Sequence, residues 1–76
     1  LLNGHFVLQQ AEQLAVRVTR EAGPRPAEEV RRAFQLTLGR EPEPAELRAA
    51  EFLVREHGLA SLARALFNSS EFLWLP

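Results

Sequence analysis

Glycine and proline cut this chain into segments that are too short to be anything but brief helices packed on one another. The stops are Gly23-Pro24-Arg25-Pro26, Gly39-Arg40-Glu41-Pro42-Glu43-Pro44 and Gly58. Proline has no N–H to donate and cannot continue a helix, while glycine reaches the left-handed conformation that closes one. Between the stops the alphabet is helical: 13 Leu and 11 Ala, every acid a glutamate and every base an arginine, with only five Val and two Thr as β-branched residues. Such side chains lose little rotamer freedom in a helix. No alternating strand pattern, low-complexity tract or internal repeat interrupts them. The class is all-α, a small four-helix array with short Gly/Pro turns.

The spacing places helices over about 4–22, 26–38, 44–57 and 59–67, followed by a short C-terminal turn. Asn3 is the expected N-cap of the first, and Val7, Ala11, Leu14, Val18 and Ala22 form its apolar stripe. Arg17 and Glu21 stand one turn apart on its wet side. Pro26 suits the first position of the second helix, Glu28 and Glu29 suit the positive end of its dipole, and Glu28–Arg32 is an i,i+4 pair. Val30, Ala33, Phe34, Thr37 and Leu38 make its buried stripe, and Gly39 ends it. Pro44 opens the third helix, with Glu43 as a weak N-cap and Glu46 at N3. Leu47, Ala50, Leu53 and Val54 face inward there, Phe52 sits at the stripe's edge, and Glu51–Arg55 braces the outside. Leu59, Leu62, Ala63, Leu66 and Phe67 keep helical spacing throughout the fourth segment. Asn68-x-x-Glu71 has the spacing of a capping box, which would start one more turn carrying Phe72, Leu73 and Trp74.

A chain of 76 residues holds one core, so residues 1–76 are read as a single helical domain. A core this small requires nearly all the Phe, Trp and Leu side chains inside, or the terminal Leu1, Leu2, Trp74 and Leu75 buried against something else. A net charge of −1 argues against general nucleic-acid binding or a polybasic membrane surface. No apolar run is long enough for a membrane span. Without cysteine there are no disulfides, thiolate metal sites or cysteine nucleophiles. The chain begins on leucine, and a piece of a longer protein is expected.

Chemistry is sparse. His5 and His57 lie outside any HExxH spacing, so solvated or capping histidines are favoured over a metal site. Ser61, Ser69 and Ser70 lack a nucleophile-elbow setting. The glycines are isolated caps, not a phosphate loop. A helix-turn-helix around Gly39 would present Glu46, Arg48, Glu51, Arg55 and Glu56 outward, which is close to neutral and poor in base-reading residues. The apolar ends, Leu1 and Leu2 with Phe72, Trp74 and Leu75, form a candidate contact surface, although closing the bundle is the favoured role for the C-terminal aromatics.

Three blocks carry a resemblance. They are Leu1-Leu2-Asn3-Gly4-His5-Phe6-Val7, the hairpin from Arg31-Arg32-Ala33-Phe34 through Leu38-Gly39-Arg40-Glu41-Pro42-Glu43-Pro44 to Ala45-Glu46-Leu47, and Leu62-Ala63-Arg64-Ala65-Leu66-Phe67-Asn68-Ser69-Ser70-Glu71-Phe72-Leu73. In this order, over nearly the whole chain, they resemble the C-terminal part of the planctomycete surface-domain family. These are large bacterial proteins of unknown function, often joined to planctomycete-type cytochrome c domains. Glu43 departs from the family's usual threonine. The resemblance implies an extracytoplasmic or cell-envelope setting and supplies no catalytic residues. No Cys-x-x-Cys-His occurs, so no haem is attached to this segment.

The expectation is therefore a non-catalytic structural or interaction module. It would use no cofactor, metal or nucleic acid, and would pack on the rest of its parent, on another protein or on itself through the apolar termini. The competing readings are an accessory part of a larger envelope enzyme and, more distantly, a DNA-binding helix-turn-helix. The residues expected to hold the structural motif are Asn3, Gly39, Arg40, Pro42, Pro44, Asn68 and Glu71. Arg40, set just past a helix end, is expected to bond terminal carbonyls or pair with Glu46 or Glu71.

Overall fold

The computed structural model describes residues 4–72. Its helices are α1 (Gly4–Ala22), α2 (Pro26–Leu38), α3 (Pro44–His57) and α4 (Leu59–Phe67), and no strand occurs among the described residues. The punctuation acts as its chemistry requires. Arg25 is extended before Pro26, which takes the first turn of α2 with Glu28 and Glu29 beside it. Gly39 closes that helix in the left-handed region (φ 70°, ψ 25°), donating its N–H toward the Phe34 and Gln35 carbonyls at 3.1 and 3.2 Å. Glu43 is extended before Pro44, and its N–H donates to Glu46 Oε1 at 2.8 Å. A glutamate at N3 thus reaches back to the cap residue, as in a capping box.

Three short connections leave each helix little choice but to pack on its neighbours. α1 packs on α2 and α4, and α3 packs on α2 and α4; among the described residues α1 and α3 do not meet. α2 and α4 therefore form the middle of the array. Val18 of α1, Val30, Ala33 and Phe34 of α2, Ala50 of α3, and Leu62 and Leu66 of α4 make one continuous core. Leu14, Leu47, Leu53, Val54 and Leu59 pack against it, half-buried. Each fully buried aliphatic or aromatic side chain contributes roughly 1.5–3 kcal/mol by leaving water.

Several details differ from the sequence reading. Phe52 is not an edge residue: it is 62% exposed on the outer side of α3. Phe6 and Leu8 are also about 40% exposed, at 40% and 38%, so the large apolar side chains are not nearly all inside. Glu29 is buried, receiving the Thr19 hydroxyl from α1 at 3.5 Å. Glu28 does not pair with Arg32. Arg31 Nη1 donates to it at 2.9 Å, while Arg32 Nε turns to Glu21 of α1 at 2.8 Å, a carboxylate that Arg17 also holds at 2.9 Å. Each carboxylate thus takes an arginine, Glu28 from its own helix and Glu21 from both α1 and α2, and these charge-assisted bonds are the stronger kind. Asn68 does not start another helical turn: it is the C-cap of α4, its N–H bonding the Arg64 carbonyl at 3.0 Å. The next residues form turns, with the Phe72 N–H donating to the Ser69 carbonyl at 3.3 Å.

Candidate functional site

The densest polar constellation is built where three segments meet. Gly39 turns the chain out of α2, which sets Arg40 one residue past the helix end. Pro42 and Pro44 stiffen the path into α3, whose first turn presents Glu46. The turns after α4 bring in Glu71. Arg40 fills the space between them. Its Nε–H donates to Glu71 Oε2 at 2.6 Å and Nη2 to Glu71 Oε1 at 2.8 Å. On the other side Nη1 and Nη2 donate to Glu46 Oε1 and Oε2 at 2.8 and 2.9 Å. Nη1 also reaches the Glu41 carbonyl at 2.9 Å. A guanidinium carries five N–H groups, and these five bonds use one each. Phe34 lies under the group, its ring centroid 5.5 Å from the guanidinium carbon, a distance at which cation and ring face attract.

The electrostatics follow from this geometry. Hydrogen bonds from Arg40, aided by the Glu43 backbone N–H, hold the Glu46 carboxyl down at about 2. Glu71 is lowered by its bonds to Arg40, and the two carboxylates in turn hold the Arg40 proton more tightly. Glu21 is lowered by its bonds to Arg17 and Arg32. All of these carboxylates stay charged at neutral pH, so none is poised there as a general acid or base.

Of the residues singled out from sequence, Gly39, Arg40, Pro42 and Pro44 meet in this clasp, and Glu71 joins them from the far end of the chain. Both glutamates named as partners for Arg40 are bound to it, so Glu46 is part of the clasp and not of an outward-facing helix surface. Asn68 is exposed at the α4 terminus. Phe72 packs edge-on against Phe67, with ring centroids 5.1 Å apart and an interplanar angle of 72°, so it folds back onto α4. Leu1, Leu2, Asn3, Trp74 and Leu75 lie outside the described residues. Phe34 as the platform for Arg40, and Arg32 as a link to α1, were not foreseen; the first had a trace in sequence, since Phe34 and Arg40 flank the same helix end.

Elsewhere the surface offers little chemistry. His5 and His57 are both exposed, and among the described residues no three His, Cys, Asp or Glu side chains are grouped to hold a metal. Open depressions are lined by Ala15, Val16, Thr19 and Arg20, by Gln10, Gln13, Leu14, Arg17 and Phe67, and by Gly4, Val7, Leu8, Arg64 and Asn68. None of the three sets pairs a nucleophile with a base.

Fold and clasp together define a small all-α domain whose most organised polar group is turned inward on its own chain. Residues 1–54 match the PSD1 family, described as protein of unknown function (DUF1553), and the chain belongs to that family. The matched span covers α1, α2 and most of α3. The third sequence block, over residues 62–73, lies beyond it, and so does Glu71. No curated protein and no solved structure gives a significant match to the chain.

Proposed function

We propose that this chain is a non-catalytic helical module of a larger bacterial envelope-associated protein, and that it packs against the remainder of that protein or against a protein partner. The observation that carries the reading is the saturated guanidinium. An arginine recognises an anionic ligand through its forked N–H donors, and here all five bonds of Arg40 go to Glu41, Glu46 and Glu71 of its own chain. The group serves to tie the α2–α3 turn to the segment after α4. The envelope setting rests on the family resemblance alone. No described helix is long and apolar enough to cross a membrane.

An accessory role in an envelope enzyme would call for a cleft that gathers His5 or His57 with two glutamates, and a DNA-binding role for a basic outer face on α3. Among the described residues neither has a supporting observation. The test is to express the full parent in two parts, this chain and the remainder, and to follow their association by size-exclusion chromatography with light scattering. A stoichiometric complex, lost when exposed apolar residues such as Phe52 or Val16 are changed to glutamate, supports the module. Two parts that never associate, or a parent enzyme whose turnover depends on His5 or His57, would sink it.

A further inference from the structure

We propose that this chain has a second, dimeric packing in which Gly58 turns helical, α3 and α4 join into one helix over residues 44–67, and each α4 fills the groove of a second copy. Four observations carry this. First, Gly58 alone separates α3 from α4, and its φ of 93° with ψ of 162° belongs to a region that only glycine enters readily. Second, the helical bond on its near side is already made, since the Gly58 N–H donates to the Val54 carbonyl at 2.9 Å. Beyond the turn the Ser61 N–H donates to the Gly58 carbonyl at 3.2 Å and the Ser61 hydroxyl to the His57 carbonyl at 3.1 Å, so along the backbone Gly58 is the residue between the two helices whose torsions depart from helical ones.

Third, Leu62 and Leu66 of α4 share one core with Val18, Val30, Phe34 and Ala50. Lifting α4 away opens a groove whose shape is that of α4 itself, and a second copy carries the one helix certain to fit. Fourth, the apolar stripes are out of phase. At 100° per residue, the Leu47, Ala50, Leu53 and Val54 stripe and the Leu59, Leu62, Ala63 and Leu66 stripe would stand roughly 160° apart on a continuous helix. In the joined helix the apolar side of α4 points away from the partners of α3, so another molecule has to cover it. Residue 58 thus selects between a closed monomer and an exchanged dimer.

The experiment is Gly58→Ala in the full chain, followed by light scattering and circular dichroism. A Cβ at this position meets nothing within 4 Å, so the substitution acts on the backbone alone. The expected result is a dimer of undiminished helicity at concentrations where the unaltered chain is monomeric, returned to monomer by a short Gly-Ser-Gly insertion after residue 58. A helical monomer, an unfolded monomer, or a dimer indifferent to the insertion would each overturn the proposal. A complementation arm separates exchange from surface association. In the Gly58→Ala background, chains carrying Val18→Glu or Leu62→Glu are each core-broken, and mixing them should restore helical signal through one intact groove and one intact α4. No gain on mixing rejects exchange.

Discussion

Arg40 and Glu71, thirty-one positions apart, are joined by two hydrogen bonds of 2.6 and 2.8 Å, while the same guanidinium holds Glu46 through two more. One side chain thereby connects the α2–α3 turn, the first turn of α3 and the turns beyond α4. Single exposed ion pairs contribute little to stability, but paired bidentate contacts on one arginine are geometrically specific.

Replacing Arg40 tests whether that geometry matters. Arg40→Ala should lower the melting temperature by several degrees, and Arg40→Lys should recover less than half of the loss. An ammonium is a point charge and cannot make two parallel forks. Thermal unfolding of the three chains side by side is the measurement; a lysine variant as stable as the parent would reduce the clasp to simple charge pairing.

Acid should weaken the same site. Glu46 falls from an ordinary value of 4.5 to about 2 when folded, and Glu71 and Glu21 are lowered too. Between those limits the unfolded chain binds more protons than the folded one, so stability is complete above about pH 4.5 and is lost as pH falls toward 2. Urea midpoints from pH 6 to pH 2 should decline, and Glu46→Gln should flatten the decline while starting from a lower stability at pH 6.

Gly39 isolates a backbone effect. A Cβ built there meets nothing within 4 Å, yet φ is 70°. Gly39→Ala should therefore cost about 1–2 kcal/mol from conformation alone, and Gly39→Asn less, since asparagine tolerates the left-handed region better. Chemical denaturation resolves a difference of that size.

The two exposure classes of phenylalanine give a sharp contrast. Phe34 is 4% exposed and Phe52 is 62% exposed. Phe34→Ala should cost about 3–5 kcal/mol, enough to unfold much of so small a domain, whereas Phe52→Ala should stay within about 0.5 kcal/mol. Equal losses would mean that Phe52 is covered in solution.

Helix positions were legible because their causes are local. Pro26 and Pro44 can only begin a helix, Gly39 and Gly58 end one, and the stripe through Val30, Ala33 and Phe34 repeats at the period of the backbone. The pairing of Arg40 with Glu46 could be suggested on the same basis, since six residues and two prolines leave little freedom. The Asn68-x-x-Glu71 spacing misled because a long-range partner competes with the local one for Glu71. A capping bond to its own turn would be one exposed hydrogen bond, whereas Arg40 offers it two charge-assisted ones. Arg32 shows the same lesson by leaving Glu28 for Glu21 of α1, while Glu28 keeps a local partner in Arg31 three residues on.

Local chemistry thus settled the segments of this protein: where each helix starts, where it stops and which side is apolar. Those outcomes depend on torsions and spacings within a few residues. How α4 sits between α1 and α3, why Phe52 stays outside while Phe34 goes in, and which carboxylates Arg40 receives were decided only on assembly. Contacts between residues 11 to 31 positions apart depend on relative helix placement, and that placement is driven by burying apolar side chains from all four helices in one core.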